Sequence, residues 1–220
     1  MGTHFHFVKE YLMKSFLKTT AALVLVFFVS TASANAATIA ADYLGGGSLN
    51  NYDNATGWEF TPNQNVQVST LGLYDLDAAG FASAHDIGIF KSSDGSAVVT
   101  TSLGAGTSGT YIPGTVDGSR VNNVAGVTLQ AGTDYYILAN NFSTDQYVFG
   151  NTAVAFASEI TWNQFVEGST NSIFSNALFN GGSPGNLGPV FTFTTVPEPA
   201  TATLAMLGLG GLLMRRKRTA

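Results

Sequence analysis

The sequence predicts an all-β fold, an antiparallel β-sandwich of jelly-roll type, flanked by an N-terminal signal helix and a C-terminal transmembrane helix. Three observations predict it. Between residues 37 and 196, Lys, Glu, Arg, Leu and Met are scarce while Thr, Val, Gly, Asn and Ser abound, a composition poor in helix formers and rich in strand and turn residues. Short alternating apolar runs are separated by Gly, Asn, Asp and Ser clusters, the spacing expected of a sandwich. Only the two ends carry unbroken apolar segments beside clustered basic residues.

Residues 1–36 read as an export signal. Lys9, Lys14 and Lys18 form a positive n-region, Ala21–Val29 an uncharged h-region, and "STASANAA" offers small-residue cleavage sites after Ala34 or Ala36. Met13 is an alternative start. The h-region is shorter than the ~20 apolar residues a membrane span needs. His4 and His6 fall in this segment.

Residues 37–55 read as a lead-in and residues 56–195 as the sandwich. Strands are predicted at 56–61, 66–75, 86–91, 96–102, 110–113, 119–129, 134–140, 146–150 and 189–195. In "VQVSTLGLYD", alternation sets Val66, Val68, Thr70, Gly72 and Tyr74 on one face and Gln67, Ser69, Leu71 and Leu73 on the other. Residues 163–188 read as a long loop with one short strand at most. The predicted core draws on Trp58, Phe60, Tyr74, Phe90, Tyr135, Tyr136, Phe142, Trp162, Phe191 and Phe193. With no Cys in the chain, that core must hold the domain without disulfides.

Residues 37–196 carry twelve acids, nine Asp and three Glu, against Lys91 and Arg120, a net of −10. Such a surface repels phosphates and argues against nucleic acid as a partner. Catalytic signatures fail on mechanism. "GGSPG" (Gly181–Gly185) matches G-x-S-x-G in form, but the residue after Ser183 must donate an N–H to the oxyanion, and Pro184 has none. His85 and Asp86 are strand neighbours pointing to opposite faces, so they cannot act as base and orienter. His85 reads as a surface residue. The acids show no carboxylate pair that marks a glycosidase. The sequence predicts a non-catalytic domain.

The most specific internal motif is "DLDAAGFASAHD", Asp75 to Asp86. Read as a twelve-position Ca²⁺ loop, it places Asp75 at 1, Asp77 at 3, Gly80 at the turn position 6, Phe81 (through its carbonyl) at 7, Ser83 at 9 and Asp86 at 12. Position 5 is Ala79, which cannot ligate. Two readings stand: an acidic surface hairpin, or a Ca²⁺-stabilised loop of weak affinity, on the order of 10⁻⁴–10⁻³ M. The aromatic residues Tyr43, Tyr52, Tyr111, Tyr147 and Trp162 are candidates for stacking on sugars, which makes a glycan-binding module acting on exopolysaccharide the alternative function. An extracellular hydrolase is a third.

Residues 196–220 form the last unit. Pro197-Glu198-Pro199 precede an apolar run, Ala200–Met214, and the cluster Arg215-Arg216-Lys217-Arg218. As a helix, the fifteen apolar residues span about 22 Å, short of a ~30 Å hydrocarbon core, with snorkelling bases extending the reach. The bases would stay cytoplasmic. Two prolines keep Pro197–Pro199 extended and out of the helix. Together, "VPEPATATLAMLGLGGLLMRRKR" resembles the PEP-CTERM sorting signal of Gram-negative bacteria. That resemblance implies that Pro-Glu-Pro is a processing motif read by an exosortase, a membrane transpeptidase-like enzyme. It further implies that the helix is a temporary anchor, and that the cell surface or polysaccharide matrix is the destination. The stretch from Gly57 to Ala139 resembles exported β-sandwich domains of the DUF4082 type, whose Asp-rich, Gly-containing turn is matched here by Asp75, Asp77, Gly80, His85 and Gly88. This second resemblance implies a fold rather than an activity.

Overall fold

A computed structural model describes residues 36–168, 170–174, 178–181 and 187–196. The chain divides at Asn35/Ala36, and the described residues all belong to the second unit. The predicted signal helix, the apolar run 200–214 and the basic cluster lie outside the described residues. Among the described residues no helix is long and apolar enough to cross a membrane.

The described chain is almost entirely antiparallel strand. In order these are β1 (Thr38–Ile39), β2 (Ala41–Asn50), β3 (Thr56–Pro62), β4 (Val66–Asp75), β5 (His85–Lys91), β6 (Ala97–Leu103) and β7 (Thr110–Pro113). They are followed by β8 (Gly118–Leu129), β9 (Tyr135–Ala139), β10 (Tyr147–Phe156), β11 (Ile160–Gly168), β12 (Leu178–Gly181) and β13 (Pro189–Thr195). One sheet has the order β1-β13-β4-β8-β7, the other β12-β11-β3-β9-β5-β6, and β2 pairs with β10 in a separate ribbon. The β-sandwich expected from the sequence is the fold.

The core lies between the two large sheets. Trp58 and Phe60, two apart on β3, share one face, and both contact Phe191 of β13. The buried Trp58 indole donates to the Pro189 carbonyl at 2.8 Å, so its one polar group is satisfied. A second, smaller cluster of Ala55, Phe90, Tyr136, Leu138, Val166 and Ile173 covers the outer side of the six-stranded sheet. Nine of the ten aromatics expected in the core are buried, and Trp162 is half-buried against Phe156.

Three expectations are corrected. First, the segment 37–55 is a strand over Ala41–Asn50, not a loose lead-in. Gly45, Gly46 and Gly47 have positive φ and its pairing with β10 shifts register twice, so it shows no period-2 pattern. Second, β11 occupies 160–168, where Asn163 and Gln164 mask a strand that bulges against β3 between Trp162 and Gln164. Third, the alternation of β4 changes phase. Ser69 is an extra residue between Val68 and Thr70 relative to β13, while on the other side three residues of β8, Val124, Ala125 and Gly126, stand across from it. A bulge swaps the faces beyond it, so Val66 and Val68 share the core with Leu71 and Leu73, all fully buried.

Candidate functional site

The acidic loop after β4 is organised around an arginine. Asp75 is 1% exposed. Its Oδ1 accepts from the Gly80 N–H at 2.9 Å and its Oδ2 from Arg120 Nε at 2.6 Å. The Arg120 guanidinium also donates to the carbonyls of Ala78 at 3.0 Å and Thr107 at 3.2 Å and lies over the Tyr111 ring. A buried charge needs this kind of complete partnering. Gly80 has φ +85, and a side chain there would run into the Gly106 backbone, so the glycine expected at the turn is a steric requirement.

The other proposed Ca²⁺ ligands are engaged elsewhere or stand apart. The Phe81 carbonyl accepts from Gly106 N–H at 2.6 Å. Ser83 donates its N–H to Asp145 and its hydroxyl meets Thr144. Asp86 accepts from the Ser102 hydroxyl on the neighbouring strand. Asp77 is exposed, with φ 59. Among the described residues no three His, Asp or Glu side chains gather as metal ligands would. The guanidinium of Arg120 supplies the positive charge at Asp75 and at the Ala78 carbonyl.

His85 is not a surface residue: it is fully buried. Its ring bridges the Asn140 carbonyl (2.5 Å from Nδ1) and Asp145 Oδ2 (3.1 Å from Nε2), between the rings of Phe81 and Phe142. Asp145 also accepts the Ala82 and Ser83 N–H groups, so the pair clasps the 82–85 and 140–145 segments together. As expected, Asp86 points away, toward β6.

The proposed sugar-stacking aromatics do not form one platform. Tyr147 is buried, and burial, with the Glu167 carboxylate adding to it, pushes its phenol up to about 12, although Asn50 donates to its oxygen. Tyr43 packs edge-on against Tyr74, and Tyr111 lies under Arg120. Of the five, Tyr52 alone is more than half exposed, at 56%. A cavity beneath Tyr43 and Tyr74 has a volume of about 10 Å³, room for one water and no organic ligand. Burial, followed by a hydrogen bond to Asp117, raises the Tyr74 phenol as well. Ser183 and Pro184 lie outside the described residues.

The sorting tail leaves the domain at a well-defined place. β13 lies between β1 and β4 and pairs with β4 to its last residue, Thr195 opposite Val66. Val196 N–H then donates to the Asn65 carbonyl at 2.9 Å. Pro197 follows directly. Three turns surround this exit, and two asparagines tie them together. Asn65 Oδ1 accepts from Ala131 N–H, and Asn63 donates through its backbone to Glu159 O and through its side chain to Ser158 O. Gly132 N–H closes onto Pro62 O. The start of the domain is at the same end, where Thr38 pairs with Phe193.

Sequence reasoning missed Arg120, His85, Asp145 and the pair Asn63/Asn65 as organising residues. Arg120 carried a usable signal, as the one arginine in a strongly acidic domain.

Comparison with known proteins bears on this exit. Residues 195–218 match the family model of the PEP-CTERM protein-sorting motif. The chain therefore carries that motif, which marks an exported, envelope-associated protein handled by an exosortase. The match begins at Thr195, the last residue of β13. No curated protein matches the chain.

Proposed function

We propose, with the sorting motif as premise, that this chain is a cell-surface or extracellular-matrix protein whose non-catalytic sandwich is the cargo of its own tail. One observation carries the reading: the matched motif starts on the residue where the last strand ends. Folded domain and address label meet with no intervening segment. The N-terminal signal takes the chain across the inner membrane, and the apolar run 200–214 holds it there with Arg215–Arg218 on the cytoplasmic side. Pro197-Glu198-Pro199, unable to join the helix, presents the backbone for cutting. The sandwich then passes to the surface or matrix.

A structural or adhesive role fits the middle domain better than catalysis. Its acidic loop is closed by Arg120, and its one histidine is enclosed and bonded on both ring nitrogens. The resemblance to DUF4082-type exported sandwiches points the same way. Deletion of residues 197–218 in the native host tests the reading: the domain should still be exported but lost from the surface and matrix fraction. Unchanged surface delivery of the truncated chain would overturn it.

A further inference from the structure

The exit of β13 sets a tight geometric condition on whatever handles the tail. Between Thr195, still paired with Val66, and Pro197 stands only Val196, itself hydrogen-bonded to Asn65. A processing cleft binds its peptide extended, at about 3.4 Å per residue. The strand can yield little. Phe193 is fully buried in the core and β13 is an inner strand, so releasing more than Thr194–Val196 would unpack the sandwich. Those three residues span only about 10 Å. An enzyme holding Pro197–Pro199 must therefore bring its own surface against the turns around the exit.

Those turns make a suitable face. Residues 62–65, 130–134 and 157–159 contain two charges, Glu159 and Asp134, in a region, residues 37–196, of net −10; Asp134 is tied to the Thr61 hydroxyl. Asp75, Asp77, Asp86, Asp117 and Asp145 all lie at the opposite end: β4 and β8 place Asp75 and Gly118 together, far along the strands from Val66 and Leu129. Apart from Asp134, the exposed side chains near the exit are amides, hydroxyls and small residues: Asn63, Gln64, Gln130, Ala131 and Ser158. The hydrogen bonds through Asn63 and Asn65 make the three turns one connected surface. With five acids at the opposite end, this rim approaches an anionic bilayer against less repulsion than that end would meet.

We propose that this rim is a docking surface for the membrane-embedded processing enzyme, which seats against it while cutting the tail. The proposal rests on the sorting reading above. The test uses the full chain in a host that processes it, following tail removal by intact mass after a pulse. Gln64→Trp with Ala131→Trp places bulk on exposed rim positions whose side chains make no staple. At native spacing this variant should lose its tail at least fivefold more slowly than wild type. Inserting eight Gly/Ser residues between Val196 and Pro197 should restore the wild-type rate, because the linker adds up to about 27 Å of reach; a misfolded variant would not be rescued. Processing of the rim variant at the wild-type rate would overturn the proposal and leave the sorting reading standing. So would slow processing that the linker does not rescue. If the rim variant instead changes flotation of the full chain with enzyme-free phosphatidylglycerol vesicles, the rim meets lipid and the enzyme docking is wrong. A wild-type chain that never loses its tail would defeat the sorting reading itself.

Discussion

Arg120 on β8 and Asp75 at the end of β4 form a buried ion pair 2.6 Å across, with 9% and 1% of their side chains exposed. The guanidinium also holds two loop carbonyls, so a single side chain fixes the 76–80 turn and the 104–109 loop to the sheet. Removing one partner leaves the other charged and buried, which costs about 3–5 kcal/mol. Arg120→Met should lower domain stability by that amount in urea unfolding. Arg120→Lys should rescue little, because one ammonium cannot reproduce the fork of donors. Asp75→Leu with Arg120→Leu should cost clearly less than the sum of the single changes.

The same pair governs the response to Ca²⁺. Because Arg120 already neutralises Asp75 and holds the Ala78 carbonyl, millimolar Ca²⁺ should leave the Tm unchanged, and Asp77→Ala should make no difference. A rise in Tm that Asp77→Ala removes would show the loop rearranging into the cation site that its spacing suggests.

Tyr147 and Tyr74 make stability fall at alkaline pH. Burial raises both phenols above the ordinary value, Tyr147 to about 12. A raised pKa means the folded state keeps its proton where the unfolded chain loses it. The contribution is therefore complete below pH ~10 and is lost as pH rises through the folded value. Denaturant midpoints should be flat up to about pH 10 and decline toward pH 12, alongside the tyrosinate absorbance. Tyr147→Phe should flatten part of that decline, at a cost of about 1 kcal/mol near neutrality for the lost bond with Asn50.

Gly57 sits in β3 where a Cβ would run into the Ile137 carbonyl oxygen of β9. β3 lies inside the six-stranded sheet, so neither strand can move aside. Gly57→Ala should abolish cooperative folding, read as loss of the near-UV circular dichroism signal of Trp58. A variant with wild-type Tm would contradict the β3–β9 register.

The parts of the fold legible in the sequence are those where one local rule suffices. "TGWEFTP", "YYILA" and "PVFTFTT" alternate or run apolar between turn residues, and each is a strand. β2 was hidden because three consecutive glycines and two register shifts erase its period. The phase change at Ser69 was hidden because a bulge is set by neighbouring strands, not by the bulged residue. The loop from Asp75 to Asp86 was legible as acidic and turning at Gly80. Its organising cation was not, since Arg120 lies 45 residues from Asp75. His85 looked exposed because a lone polar residue near a turn usually is; its partners Asn140 and Asp145 come from a distant loop. The tail was legible because its three elements are contiguous, and the place where it leaves the sheet required the structure.

On the proposed reading, the tail from Pro197 onward is a sorting signal cut from a domain that stays folded. The intact mass of the protein recovered from the surface or matrix of its native host tests it most directly. The expected mass lacks both the N-terminal signal and everything C-terminal to the Pro197–Pro199 region, including Arg215–Arg218. A mature surface protein that still contains Arg215–Arg218 would contradict it.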